Sequence, residues 1–502
     1  MDTWKQSLLF LPAHELQQRL ATGQTTSVEL ANLFLDQIDR HNHQGRKLRA
    51  VLSTVPRDVA VRHAWALDEE RARGSVRGAL HGIPIIVKDV VVTDESLGMP
   101  TTVGSAVFAT LKPKKNATLI NRLRDAGLMI LGKGNMTEFL GLKTKGLPLG
   151  WSAYGGQTLS AYRREDLAEE DQPTAAGSSS GPALSITAGF SPLGIASETT
   201  GSAVFPAAAN GVYGLKLSHG SVPTDGVFAI SASWDCVGVM ARDPADLAPL
   251  AEALALRPGL RAAVGAGSET GFEALRIGVT ETTWGVDRGF SRGKWEEPDV
   301  VEAYEAAVRK MEASGANVVF PLAMPDADTI THEGQTVMTT SYYEFPAQVE
   351  AFIDCFHPDP EITNLQDIIA WNEKHKDVAM PEPCTTQTEL AAALASPLSA
   401  GAHVAAVSAL RRLAGPDGIV RAMAAHGGLD VVLAPSESTL VCYSACARLP
   451  VAAVPLGRWR RNGQPYGMFA VAGPGREDVL LRFMGAWHAV LGGVEGPAMD
   501  QG

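Results

Sequence analysis

Three short stretches of this chain carry groups whose chemistry stands out from their neighbours. In "SETTGSAVFPAAANG", Ser197 to Gly211, Ser202 follows a glycine in a run of small residues, with no His or Cys in the stretch. A serine hydroxyl is a weak nucleophile and needs a base beside it. The alternative is a tight strand-to-helix turn in which the serine caps a helix. In "AAGSSSGPALS", Ala175 to Ser185, the choice is between a flexible Gly/Ser linker and a built loop, and apolar helix and strand patterns follow at once. In "HGIPIIVKDV", Lys88 closes an apolar run. A charge there is expensive unless the amine snorkels out to water.

Taken together, the three stretches fit one chemical need. An amine at the end of an apolar strand loses affinity for its proton through desolvation. Free lysine titrates near ~10.4, so a depression of a few units makes it a base at neutral pH. A second serine can pass the proton between that amine and the nucleophile. Gly-rich backbone beside Ser202 can aim N–H groups at a developing oxyanion. This Ser–Lys arrangement requires neither His nor Asp.

The elements that would hold these groups are legible in outline. "TSVELANLFLDQIDRH" opens with Thr26 and has Glu29 three residues on, a capping box, with Leu30, Leu33, Phe34 and Ile38 on one helical face. "IPIIV", Ile83 to Val87, reads as a buried strand. "NATLINRLRDAG" is a helix stopped at Gly127, and "LMILG" a strand after it. "PALSITAGF" is helical from Pro182, "PLGIAS" and "DVVLAP" are strands, and "REDVLLRFMGAWHAVL" is a final helix with Val479, Phe483, Trp487 and Val490 on one stripe. Alternating strands and helices predict an α/β fold: a large twisted mixed sheet sandwiched by helices on both faces, in one domain over 1–502. From about 285 to 400 the rhythm breaks, and we expect a helical insertion packed on the sheet and contributing to a substrate pocket.

Composition narrows the function classes. The 502 residues are 45% apolar and 20% charged, with 50 glycines, enough for a large core with many close backbone approaches. A net charge of -12 argues against a nucleic-acid partner, and "KPKK" at Lys112 to Lys115 reads as a solvated loop. Five cysteines make no disulfide framework, and Cys442 and Cys446 read as buried small residues rather than metal ligands. No apolar run approaches the length of a membrane span or a signal-peptide core, so a cytoplasmic protein is expected.

These motifs identify a resemblance. The chain resembles the amidase signature family, most densely through "GIPIIVKD", "GSSSG", "ASETTGSAVFPAAANGVYGLK" and "SASWDCVGVMARDPADLA". Ser178 and Ser202 stand 24 residues apart, the spacing that the family keeps between its two catalytic serines. The resemblance implies that Lys88 is the base, Ser178 a bridging serine after a cis peptide bond, and Ser202 the acylated nucleophile. It implies an oxyanion hole from Thr199, Thr200, Gly201 and Ser202. Within the family the look is nearest to bacterial peptide amidases and their fungal relatives, which carry a block like "WSAYGGQT". From that likeness Trp151, Gly155, Gln157, Tyr343, Trp371 and Gln387 are candidate substrate contacts. Val204 stands where many members have Arg, and Thr200 where they have Gly or Asp.

The implied activity is C–N hydrolysis of a peptide-like, aryl or secondary-metabolite carboxamide, with no metal or organic cofactor. The expected partner is a small-molecule amide, with no nucleic acid and no membrane; a homodimer is left open. The rivals are acyl transfer from the same acyl-enzyme, an amidase component like that of the tRNA-dependent amidotransferase, and a binding protein that kept the fold without turnover.

Overall fold

A computed structural model describes residues 3–286 and 295–499 of the chain. Its centre is one mixed sheet of eleven strands. In chain order these are β1 (Val51–Thr54), β2 (Pro84–Lys88), β3 (Met129–Gly134), β4 (Leu193–Glu198), β5 (Tyr213–Lys216), β6 (Cys236–Ala241), β7 (Arg276–Val279), β8 (Asn317–Val319), β9 (Val431–Pro435), β10 (Val451–Arg458) and β11 (Pro465–Ala472). Across the sheet they run β1-β3-β2-β4-β6-β5-β10-β11-β9-β7-β8. The neighbours β3, β2 and β4 are parallel, as are β9, β7 and β8, and the remaining pairs are antiparallel.

Both faces of the sheet are covered. Successive side chains of a strand point to opposite faces. Along β9, Val431 and Leu433 enter one core while Val432 and Ala434 enter the other. β11 divides in the same way, with Met468 and Ala470 on one side and Phe469 and Val471 on the other. Helices Pro244–Ala255, Leu260–Thr270, Pro298–Ala313 and Glu477–Leu491 contribute Leu247, Val264, Tyr304 and Phe483 to the first core. Helices Ser180–Thr187, Val204–Ala209, Ala400–Ala414 and Leu440–Cys446 contribute Ile186, Val204, Leu410 and Leu440 to the second. The doubly buried strands explain the continuous apolar runs in the sequence.

The sheet has two halves in sequence. Strands β1 to β6 form one side, and β7 to β11 the other. They meet along one seam, where β10 pairs with β5: Val451 opposite Lys216, Ala452 opposite Leu215, and Ala453 opposite Gly214.

The capping box at Thr26 and Glu29 forms as read, with reciprocal hydrogen bonds at the start of Ser27–His41. The helix read from Pro182 starts two residues earlier, at Ser180. The segment from about 285 to 400 is not a uniform helical insertion. Pro298–Ala313 and β8 belong to the far edge of the sheet, whereas Val337–Ile353, Leu365–Lys374 and Thr388–Leu394 form a helical layer. Residues 287–294 of that segment lie outside the described residues. No described helix is long and apolar enough to cross a membrane.

Candidate active site

Lys88 is the last residue of β2, held between β3 and β4. The parallel register sets Val87 opposite Ile195, which brings Lys88 alongside the end of β4. Its side chain is fully buried. Its Nζ lies 2.7 Å from Ser178 Oγ, 3.0 Å from Ser197 Oγ and 3.2 Å from the Ser197 carbonyl oxygen. Burial pushes the amine down from an ordinary 10.5 to about 7, against the opposing pull of the Asp235 and Glu198 carboxylates. A neutral amine carries two N–H donors and one lone pair. The carbonyl of Ser197 can only accept, which leaves the lone pair free to accept the Ser178 hydroxyl proton.

Ser178 follows a cis Gly177–Ser178 peptide bond, as the resemblance implied. Its carbonyl accepts from Thr137 N–H at 3.1 Å, and Ser179 N–H donates to the Ser202 carbonyl at 3.1 Å. The two serine loops are therefore joined through backbone. No hydrogen bond joins the Ser178 and Ser202 hydroxyls among the described residues. Helix Ser180–Thr187 packs close behind this loop, and that closeness requires glycine. A Cβ on Gly181 would lie 2.2 Å from the Asn135 backbone nitrogen and 2.3 Å from the Ala50 carbonyl oxygen.

Ser202 sits on the turn between β4 and helix Val204–Ala209, half-buried, next to the exposed Thr200. Gly201 has φ +93°, a conformation glycine adopts readily. Among the described residues, nothing accepts from the backbone N–H groups of Thr200, Gly201 or Ser202. The next two N–H groups, of Ala203 and Val204, are taken up by Glu198 Oε2 at 2.8 and 3.0 Å. The turn thus presents free donors beside a hydroxyl, which is what stabilising an oxyanion demands.

Sequence reasoning passed over the acidic groups that hold this turn. Glu198 caps the helix after Ser202. Asp235 accepts from Thr199 Oγ1 at 2.7 Å and from Ile230 N–H at 2.8 Å, and burial pushes its carboxyl up to about 6. Both belong to the motif stretches that carry the resemblance, yet nothing local marks their partners. A third carboxylate, Glu344, reaches in from helix Val337–Ile353. It accepts from Ser231 Oγ at 2.5 Å, from Ser233 Oγ at 2.5 Å and from Ser233 N–H at 3.0 Å. His403 Nε2 lies 2.8 Å from it.

The candidate substrate contacts fare unevenly. Tyr343 stacks on His403 at 4.5 Å between ring centres, beside the Glu344 cluster. Trp151 is buried in a two-residue ribbon opposite Gln157. Gln157 donates to the carbonyls of Leu149 and Thr158, so its amide nitrogen holds that ribbon. Gly155 sits where a Cβ would lie 2.1 Å from Leu52 Cδ2, a packing position. Gln387 bonds Ile369, Asn372 and Glu373, so its polar atoms serve the helical layer itself. Trp371 stacks on His375 at 4.2 Å, and no described interaction ties it to either serine loop. Cys442 and Cys446 are free thiols, and no described cluster of His, Cys, Asp and Glu could hold a metal ion.

Known proteins share both the sequence and this architecture. The native peptide amidase of Stenotrophomonas maltophilia is 32% identical with a TM-score of 0.85, the match covering 98% of this chain and 99% of that one. An amidase family protein of Bacillus anthracis str. Ames is 26% identical with a TM-score of 0.86, covering 98% and 93%. A glutamyl-tRNA(Gln) amidotransferase subunit of Salinispora arenicola (strain CNS-205) is 35% identical over 317 residues, 62% of this chain and 60% of that protein. The chain thus spans about three fifths of the length of the curated relative it matches. Residues 29–442 match the Amidase family. On that match, and with this fold, the chain belongs to the amidase family.

Proposed function

We propose that the protein hydrolyses the C–N bond of a carboxamide through an acyl-enzyme on Ser202. One observation carries the reading: a fully buried lysine, pushed to about 7, stands 2.7 Å from the Ser178 hydroxyl. Ser202 Oγ attacks the carbonyl carbon as its proton passes to Ser178, whose own proton goes to neutral Lys88. The tetrahedral oxyanion takes hydrogen bonds from the free N–H groups of the Thr199–Ser202 turn. Collapse breaks the C–N bond, and the Lys88 proton returns by the same relay to the leaving nitrogen. Water then attacks the ester by the same route, releasing the acid and restoring Ser202.

The substrate in this proposal is uncharged and elongated. Val204, next to the nucleophile loop, offers no cation for a carboxylate, and the helical layer brings Glu344 to the loop beside Asp235, with Tyr343 stacked on the neighbouring His403. The likeness to a peptide amidase favours peptide-like amides. The likeness to an amidotransferase component favours a second reading: ammonia release from glutamine, delivered within a larger assembly. A carboxamide panel read by ammonia release and mass spectrometry tests both. Amidated peptides and aryl amides should give the highest kcat/KM, with free acid as product. Glutamine leading the panel moves the protein to the second reading, and an acylated amine as product replaces hydrolysis with transfer. A cytoplasmic location belongs to the same proposal and is checked by cell fractionation.

A further inference from the structure

A cavity of about 560 Å³ lies away from the serine loops, under the tail that follows the last helix. Its walls include Phe10, Tyr162, Val212 and Met499. Arg242 and His488 also line it, and among the described residues no Asp or Glu does. That is unusual in a chain of net charge -12. His488 Nε2 lies 3.3 Å from Asp243 Oδ2. Arg242 lies over the Phe10 ring, 5.6 Å from its centre, and has no carboxylate partner among the described residues. Its Nη2 donates to the Ile186 carbonyl, its Nε and Nη1 make no hydrogen bond among the described residues, and no described carboxylate pairs with it. The acid nearest in effect, Asp246, is occupied by Ala13 N–H at 2.6 Å, His14 N–H at 2.8 Å and His14 Nδ1 at 3.0 Å. A half-buried guanidinium without a carboxylate beside it is available to an anion, and a planar carboxylate is the group that its fork matches.

The roof of the cavity is held without reference to its side chains. Arg46 donates to the Ala498 carbonyl at 3.0 Å, and Arg458 donates to the carbonyls of Glu495 and Gly496. The floor is connected to the serine loops through two helices. Helices Ser180–Thr187 and Val204–Ala209 start just after Ser178 and Ser202, and both end here, at Thr187 and Asn210. Thr187 Oγ1 donates to the Asn210 carbonyl at 2.8 Å, and Asn210 Nδ2 donates to the Ala175 carbonyl at 3.0 Å, two residues before Gly177.

We propose that this cavity is a second ligand site, taking an organic carboxylate with an apolar body, its carboxylate on Arg242. The volume suits a small molecule, Phe10, Val212 and Met499 give part of the wall an apolar surface for its body, and Arg242, which no described carboxylate pairs, selects an anion. The product of amide cleavage has this chemistry, and so do many metabolites.

The test uses 4-bromobenzoate and inorganic phosphate as probes of the full-length protein. Calorimetric titration should detect 4-bromobenzoate, with affinity at least tenfold weaker in Arg242→Gln and intermediate in Arg242→Lys. Anomalous scattering from a soaked crystal should place bromine in the cavity. Three results overturn the proposal: equal affinity in folded Arg242→Gln, bromine only beside Ser202, or binding of phosphate with none of 4-bromobenzoate. If Arg242→Gln does not fold, Arg242→Lys and the bromine position decide. Neither readout depends on turnover, so failure of the amidase reading leaves this test intact.

Discussion

The hydroxyl of Thr199 donates to Asp235 across 2.7 Å and ties the loop before Ser202 to the start of β6. The loop that presents the free N–H groups is therefore anchored from a different strand. Thr199→Val keeps the shape and removes the donor, leaving a buried carboxylate oxygen unpaired. Such a loss costs about 1–3 kcal/mol. We expect kcat/KM to fall roughly tenfold to a hundredfold, in line with that energy. Thr199→Ser should retain most of it. Steady-state kinetics on one amide checks both, and equal losses in the two variants would count against the anchor.

On the proposed mechanism Ser202→Ala should remove turnover by several orders of magnitude, and it should leave the melting temperature within a few degrees, because the half-buried side chain makes no hydrogen bond among the described residues. Labelling by a serine-directed fluorophosphonate should disappear with it. Activity within tenfold of the parent protein would remove Ser202 from the mechanism.

In the proposed relay, Lys88 sets the pH dependence. Its folded value, about 7, lies below its ordinary 10.5, so the neutral base accumulates as pH rises through 7. The proposed relay then gives kcat/KM an ascending limb with a midpoint near 7. The same shift affects stability. Between about 7 and 10.5 the unfolded chain holds a proton that the folded chain lacks, so stability rises with pH across that window. Lys88→Arg should be as inactive as Lys88→Ala, since arginine keeps its proton in proteins. A pH–rate profile that is flat from 6 to 8 contradicts the assignment.

Glu344 links the helical layer to the segment carrying Asp235. Burial pushes its carboxyl up, but the hydrogen bonds from Ser231 and Ser233 outweigh this and hold it below the usual carboxylate range. Glu344→Leu removes every one of those acceptors. If the layer reads the far part of the substrate, KM for amidated peptides should rise about tenfold, the value of roughly one charged hydrogen bond. KM for a short aliphatic amide should stay near its parent value. Parallel losses for both substrates would make Glu344 a purely structural residue.

How much was legible in the sequence depends on where each partner lies. Lys88, Ser178 and Ser202 stood out because each clashed with its local pattern: a charge at a strand end, and hydroxyls in Gly-rich turns. That signal is not unique. Lys133 also lies near the end of a buried strand and is equally buried, with its amine down to about 8, yet it bonds Val91 and Thr101 and faces Asp89 at 3.7 Å. Local pattern finds buried lysines, and the tertiary fold decides which one meets a serine. Asp235, Glu198 and Glu344 stayed hidden for the same reason, since Glu344 binds side chains 111 and 113 positions away. Gln157 and Gln387 had the right type for substrate contacts, but their amides hold the protein's own backbone and side chains.

The seam between β5 and β10 bears on how the chain is made. Lys88, Ser178 and Ser202 all lie on strands and turns completed by residue 241, in the first half of the sheet. At roughly 5–20 residues per second, the ribosome takes about 10–40 s to add the next two hundred residues and deliver β10. Throughout that interval Tyr213–Lys216 has β6 on one side and nothing on the other. An unpaired apolar edge invites pairing with another nascent chain. Expression yield should therefore respond to chaperone supply and to lower temperature, and a chain cut between 242 and 450 should aggregate with its serine loops already formed.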